Sequence, residues 1–254
     1  MSSSNQTVIC LHSGGFTSRQ WKRLKEKLTP THDVVAPDLL GYGASGAWPQ
    51  DKPFHYQLDV DAIVARVRAA EAPVHLVGHS YGGFLACHVA RAVPDRVRSM
   101  ALYEPVTFSV LDPSRDADAL ALLATLRTTW EPDAHGVDER WLASFVDWWN
   151  GDGAWSALPA PTKDGFRSVG AKLFQEVATL AADRTGAAGF AAITAPSLLM
   201  TGSRSPITAQ RTVERLAEAL PHGVLSRFEG VGHMAPITHH ALVDDAIVAF
   251  VRAH

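Results

Sequence analysis

The stretch VHLVGHSYGGFLACHVA, Val74–Ala90, passes from one kind of order into another. It starts as an apolar run of strand length, and beyond Gly82 its apolar residues recur at helical spacing. Between the two stands Ser80, with Gly78, Gly82 and Gly83 around it. Gly-x-Ser-x-Gly between a strand and a helix describes a nucleophile elbow. The serine occupies a tight turn, residues two positions away must pass close to its backbone, and a Cβ there would clash. A helix starting at Tyr81 would aim its first N–H groups at the same spot, where negative charge is favoured.

Working outward, strands and helices alternate on both sides of this turn. Thr7–Leu11, Asp33–Leu39 and Val97–Pro105 read as further strands, and Arg19–Leu28 and Tyr56–Ala70 as amphipathic helices. Alternation of this kind predicts right-handed βαβ units and a parallel sheet covered on both faces. From about Thr107 to Phe190 the pattern changes to mainly helical, with a Gly- and Pro-rich loop expected over residues 151–165. Five of the seven tryptophans fall there: Trp130, Trp141, Trp148, Trp149 and Trp155. Alternation resumes with strands at Ser197–Gly202 and Val224–Gly230 and a closing helix at His239–Arg252. The expectation is an α/β core, residues 1–106 and 191–254, interrupted by a helical insertion at 107–190.

Bulk properties narrow the function classes. The 254 residues are 46% hydrophobic with a formal net charge of −3, as expected of one globular enzyme-sized domain. Without a basic patch, nucleic acid and anionic membranes are not expected partners. Neither a signal peptide nor a run of ~20 apolar residues is evident, so a cytoplasmic protein, monomer or homodimer, is expected. Cys10 and Cys87 read as small core hydrophobes. No metal-ligand spacing or dinucleotide fingerprint suggests a cofactor, and a small-molecule substrate is expected.

A serine nucleophile needs a base. Among twelve histidines, His233 stands out: FEGVGHMAPITH places it in a Gly-flanked loop after the last strand, at the sheet edge that also carries Ser80. His75, His88 and His222 read as structural or surface residues, and His239 and His240 lie too far along. LHSGGFTS follows the first strand at that same edge. A backbone N–H of Gly14 or Gly15, together with that of Tyr81, would hold an oxyanion, with His12 propping the loop.

With these residues in place the chain resembles the α/β-hydrolase superfamily. HSGG stands where the family has its oxyanion motif, DLLGYGAS (Asp38–Ser45) is similar to its Asp-x-x-Gly-x-Gly-x-Ser, and the elbow and histidine loop follow in the family's order. The resemblance implies a cap formed by the helical insertion, with Phe16, Trp130, Trp148 and Met234 as pocket candidates. It also implies about six strands rather than eight, since the chain starts close to the oxyanion strand.

The acid departs from the family's commonest pattern. TGSRSPIT puts Ser205 where Gly-x-x-Asp would supply a carboxylate. The remaining carboxylate at the right edge is Glu104, closing the strand after the elbow helix, an arrangement that resembles certain haloalkane dehalogenases. A Ser–His dyad without an acid stays open, and Glu229 is too near His233 in sequence. The reading is a serine hydrolase acting on a small carboxylic ester through an acyl-enzyme on Ser80, with His233 as base and Glu104 as acid. A C–C bond hydrolase, a lactonase, a lyase similar to hydroxynitrile lyases, or a ligand receptor on the same scaffold are the alternatives. Serine at the elbow argues against the dehalogenase and epoxide hydrolase chemistries, which use aspartate there.

Overall fold

In the computed structural model, residues 6–48, 53–129 and 138–254 are described, without side chains for 126–129. Six strands form one sheet: β1 (Gln6–Leu11), β2 (His32–Val35), β3 (Val74–His79), β4 (Val97–Tyr103), β5 (Ser197–Gly202) and β6 (Gly223–Phe228). Their order is β2-β1-β3-β4-β5-β6, and every neighbouring pair is parallel. The chain leaves β1 outward to β2 and returns to β3 on the other side of β1. That reversal opens a crevice above the strand ends, where open α/β sheets bind ligands.

Period-two alternation sends strand residues to two cores. Ile9, Leu11, Leu76, Leu102 and Leu199 face one side, packed by α2 (Gln57–Ala69), α3 (Tyr81–Ala92) and α9 (Ile207–Ala219). Val8, Cys10, Val77, Ala101 and Met200 face the other, against α1 (Lys22–Leu28) and α11 (His240–Ala253). Both cysteines are buried and unpaired, and burial pushes their thiols well up.

Between β4 and β5 the chain runs through α4 (Ala117–Thr129), α5 (Glu139–Asn150), α6 (Ala154–Ala157), α7 (Ala160–Ala182) and α8 (Gly186–Phe190). Trp141, Leu142, Val146, Trp155, Phe166 and Leu173 give these helices a core of their own.

Several boundaries differ from the sequence reading. The second strand ends at Val35 rather than Leu39, because Pro37 cannot donate to a ladder. The loop expected over 151–165 holds α6 and the first turns of α7: Pro161 lies in the first turn of α7, where its missing N–H has no partner to lose. The expected histidine loop holds a short helix, α10 (Ala235–Thr238), whereas the closing helix expected over His239–Arg252 is α11, displaced by one residue at each end. No helix among the described residues is long and apolar enough to cross a membrane.

Candidate active site

Strand register brings the chemistry together. His79 on β3 pairs with Tyr103 on β4, so Ser80 and Glu104 leave adjacent strands at one level. Leu11 pairs with Gly78, which brings the loop after β1 to the same edge. Among the described residues only Ser80 (φ 53°) and Glu104 (φ 42°) are non-glycines with positive φ. Backbone strain of this kind costs ~1–3 kcal/mol each and persists only where surroundings enforce it. Here Ser80 N–H donates to Tyr103 O at 3.0 Å and Glu104 N–H to Met200 O at 2.9 Å. A Cβ on Gly82 would lie 2.2 Å from Leu11 O, and one on Gly78 would lie 2.6 Å from Gly83 Cα. Both positions of the elbow motif therefore require glycine.

Glu104 and His233 form a buried pair, 1% and 3% exposed. His233 Nδ1–H donates to Glu104 Oε2 at 2.7 Å. The other oxygen, Oε1, accepts from Thr201 Oγ1 at 2.7 Å, Gly202 N–H at 2.9 Å and Ser205 Oγ at 2.5 Å. The carboxylate is thus fully satisfied although buried. With Nδ1 committed as donor, Nε2 is the nitrogen that can accept a proton.

The histidine loop is held from three sides. His79 Nε2–H donates to the His233 carbonyl at 2.9 Å, and Gln20 Nε2 donates to His79 Nδ1 at 3.0 Å. Burial keeps the His79 imidazolium from forming, holding its pKa well below the ordinary value. Tyr103 OH donates to Gly232 O at 2.8 Å. From the helical segment, the Trp149 indole stacks on the His233 ring, centroids 3.7 Å apart and planes 19° off parallel.

His12 does prop the loop after β1. Its Nε2 accepts from Leu39 N–H at 3.0 Å, so Nδ1 carries the hydrogen and donates to Ser13 O at 2.8 Å. Burial lowers its pKa to about 4, consistent with a neutral ring. Of the two glycines expected to offer a donor, Gly15 has its N–H committed to Tyr42 OH at 3.1 Å. Among the described residues the N–H groups of Gly14 and Tyr81 have no partner, so these two are the donors available to an oxyanion.

Ser80, His233, Gly14 and Tyr81 line one cavity of about 840 Å3. Of the pocket candidates, Phe16, Trp148 and Met234 line it; Trp130 lies outside the described residues. Trp141 and Trp155 pack inside the helical segment instead.

A sequence profile for the alpha/beta hydrolase fold matches residues 6–240. The chain belongs to the α/β-hydrolase family. Over 246 residues it is 31% identical to a pimeloyl-[acyl-carrier protein] methyl ester esterase of Chromobacterium violaceum, covering 92% of this chain and 89% of that one. It is 38% identical over 120 residues to the lipase LipV of Mycobacterium tuberculosis, a match spanning 46% of this hydrolase and 44% of the relative. Among solved structures, a thermophilic esterase from Thermogutta terrifontis superposes with a TM-score of 0.73 at 19% identity, covering 98% of this chain and 90% of the other.

Sequence reasoning missed several residues of this hydrolase site. His79, Gln20 and Trp149 act on His233 from elements distant in sequence. A buried cluster of Asp59, Lys172 and Glu176 lies beneath the loop that follows β1. Its signal was readable: Lys172 and Glu176 stand four residues apart on a helix, interleaved with Leu173, Phe174 and Val177.

Proposed function

We propose that this α/β-hydrolase cleaves a carboxylic ester with an uncharged, apolar acyl group. Ser80 attacks the carbonyl, His233 Nε2 takes its proton and returns it to the leaving alcohol, and Glu104 fixes the tautomer and stabilises the imidazolium. The N–H groups of Gly14 and Tyr81 hold the developing oxyanion. Water then attacks the acyl-serine by the same route in reverse. The observation that carries the reading is the Glu104–His233 hydrogen bond, 2.7 Å long and buried, in the cavity that Ser80 opens into. The esterase and lipase relatives support the same class of reaction.

Helices α4–α8 act as a cap, an assignment supported by their separate core. The cavity wall they share with the sheet is apolar, with Val106, Phe108, Leu111, Leu123, Val177 and Leu180. Asp183, also in the wall, is occupied: it accepts from Ser109 Oγ at 2.6 Å and Thr185 Oγ1 at 2.7 Å. Among the described residues the wall's one cationic side chain, Arg184, donates to the carbonyls of Ala181 and Asp183. An apolar acyl chain is the group that this wall fits best.

The deciding experiment treats the protein with an alkyl fluorophosphonate, alongside Ser80→Ala, and maps the adduct by mass spectrometry. Labelling confined to Ser80, followed by turnover of p-nitrophenyl hexanoate, is expected. Folded protein that takes no label would overturn the serine hydrolase reading.

A further inference from the structure

Three ionisable side chains lie buried beneath the oxyanion loop, where the reaction itself has no use for them. Lys172 and Glu176 of α7 are 2% and 1% exposed, and Asp59 of α2 is 1% exposed. Lys172 Nζ lies 2.6 Å from Glu176 Oε1 and 3.3 Å from Asp59 Oδ2, and 3.8 Å from the centre of the Phe54 ring. Asp59 also accepts from Leu40 N–H and Tyr81 OH, both at 2.9 Å. Apolar residues of similar volume would commonly fill such a space with equal or greater stability. Stability alone therefore does not account for the cluster.

The second oxygen of Glu176 leads to the active site. Tyr42 OH donates to Glu176 Oε2 at 2.9 Å and accepts from Gly15 N–H at 3.1 Å. That N–H belongs to the Gly14–Gly15 peptide, whose carbonyl accepts from Ser13 Oγ at 3.2 Å. The preceding peptide is held by its carbonyl, which accepts from His12 Nδ1–H at 2.8 Å and Phe16 N–H at 3.2 Å. In a trans peptide the N–H points opposite the C=O, so these bonds aim Gly14 N–H. Two adjacent glycines would otherwise range over much of φ/ψ space, and Gly15 is held at φ +79°. Glu176 also packs directly on the loop: a Cβ on Gly14 would lie 2.6 Å from Glu176 Oε2.

We infer that the Lys172–Glu176 pair, acting through the Tyr42 hydroxyl, is a positioning device that sets the Gly14–Gly15 peptide and so couples a formed oxyanion hole to the seating of cap helix α7. Preorganised donors lose their advantage when they must be ordered during the reaction. Tyr42, Glu176 and Lys172 are positioning residues, since none donates to the reacting atoms. The inference rests on the ester hydrolase reading.

The test compares the intact chain with Tyr42→Phe, Glu176→Ala, Glu176→Gln and the double variant Tyr42→Phe/Glu176→Ala. Four quantities are read: kcat and KM for p-nitrophenyl hexanoate, the rate of inactivation by an alkyl fluorophosphonate, and Tm. Tyr42→Phe should lower kcat and the inactivation rate together by roughly 10- to 100-fold, with KM within about threefold. Glu176→Ala should do the same, and Glu176→Gln, which keeps an oxygen for the Tyr42 hydroxyl, should recover most of the loss. The double variant should be no slower than either single, because both cut one chain of contacts. A purely structural salt bridge would lower Tm without this split in the kinetics. Folded Tyr42→Phe with wild-type kcat and inactivation rate would overturn the inference. Should Tyr42→Phe not fold, equal kcat in Glu176→Ala and Glu176→Gln would overturn it. Wild-type protein that takes no label would be a separate failure, of the hydrolase reading, and this inference would fall with it.

Discussion

Ser205 donates its hydroxyl to Glu104 Oε1 at 2.5 Å, on the side of the carboxylate away from His233. The serine occupies the position where the family most often carries its acid. In this chain that position supplies a hydrogen-bond donor, and the carboxylate bonded to His233 is Glu104, one strand over at the end of β4. Thr201 Oγ1 and Gly202 N–H complete the set around Oε1.

The two positions should therefore respond very differently to substitution. Glu104→Gln keeps the shape but no longer fixes the His233 tautomer or stabilises the imidazolium, and kcat should fall by roughly 10^3- to 10^4-fold. Ser205→Ala removes one of three bonds to a charged acceptor that keeps its other partners. It should cost about 1.5–3 kcal/mol of stability and less than about tenfold in kcat. Steady-state kinetics on the two variants, with chemical denaturation of each, checks the order. A larger kcat loss in Ser205→Ala would show that Glu104 is not the acid.

Trp149 should act on the charged form of His233. Its indole lies parallel to the imidazole at 3.7 Å between centroids, and a cation facing an aromatic ring gains ~0.5–2 kcal/mol. In the proposed mechanism His233 carries the serine proton in the transition state, and that is where the stack would contribute. Trp149→Leu should lower kcat by about 2- to 30-fold, with Trp149→Phe intermediate, measured at a pH well above the acid limb. Equal kcat in all three proteins would reduce the stack to packing.

Much of this architecture was legible in the sequence, and the reasons differ by feature. The central strands β1, β3, β4 and β5 announce themselves as largely apolar runs, and the elbow needs only local steric reasoning. Glu104 could be placed because a strand end fixes a residue's height in a parallel sheet. Other features depend on contacts that no local pattern encodes. Gly14 and Gly15 are equivalent in sequence, and the Tyr42 hydroxyl, 27 residues on, decides between them. Trp148 and Trp149 are neighbours, yet only Trp149 stacks on His233; helical spacing does not give the phase of α5 to that accuracy. The start of α7 was hidden by Pro161 and Gly165, whose usual reading as loop residues fails in the first turns of a well-packed helix.

Two glycines provide a matched test of backbone reasoning. A Cβ on Gly82 would meet Leu11 O at 2.2 Å and His12 O at 2.6 Å, both backbone atoms. Gly165, inside α7, has open space around its Cβ position. Gly82→Ala should lose about 3 kcal/mol or more, since two elements of the site must separate. Gly165→Ala should gain ~0.5–1 kcal/mol from helix propensity. Thermal or urea unfolding of both measures the contrast, and a stable Gly82→Ala would mean that the elbow has slack.

Glu176 should give stability a pH dependence of unusual sign for a carboxylate. Burial raises its pKa from an ordinary 4.5 to about 7, against the opposing pull of Lys172. The groups facing it are Lys172 on its own helix, Tyr42, Asp59 from α2 and, through Asp59, Tyr81. Because the folded pKa is the higher one, the folded state binds more protons than the unfolded chain between these values. The contribution of Glu176 is fully present below pH 4.5 and is lost as pH rises through about 7. The buried histidines run the other way. His12 and His75 have pKa values lowered to about 4 by burial, so their contribution is present above about 6.5 and lost as pH falls through about 4. Those slopes are common to wild type and Glu176→Gln and cancel in the comparison. Packing sets the offset between the two proteins, whereas titration sets its change with pH. From pH 5 to pH 8 the Tm of Glu176→Gln should therefore rise relative to wild type, by roughly 3–8 °C, since ~1 kcal/mol moves Tm by about 2–4 °C at this size. A Tm difference that stays constant across the range would mean that Glu176 remains ionised throughout.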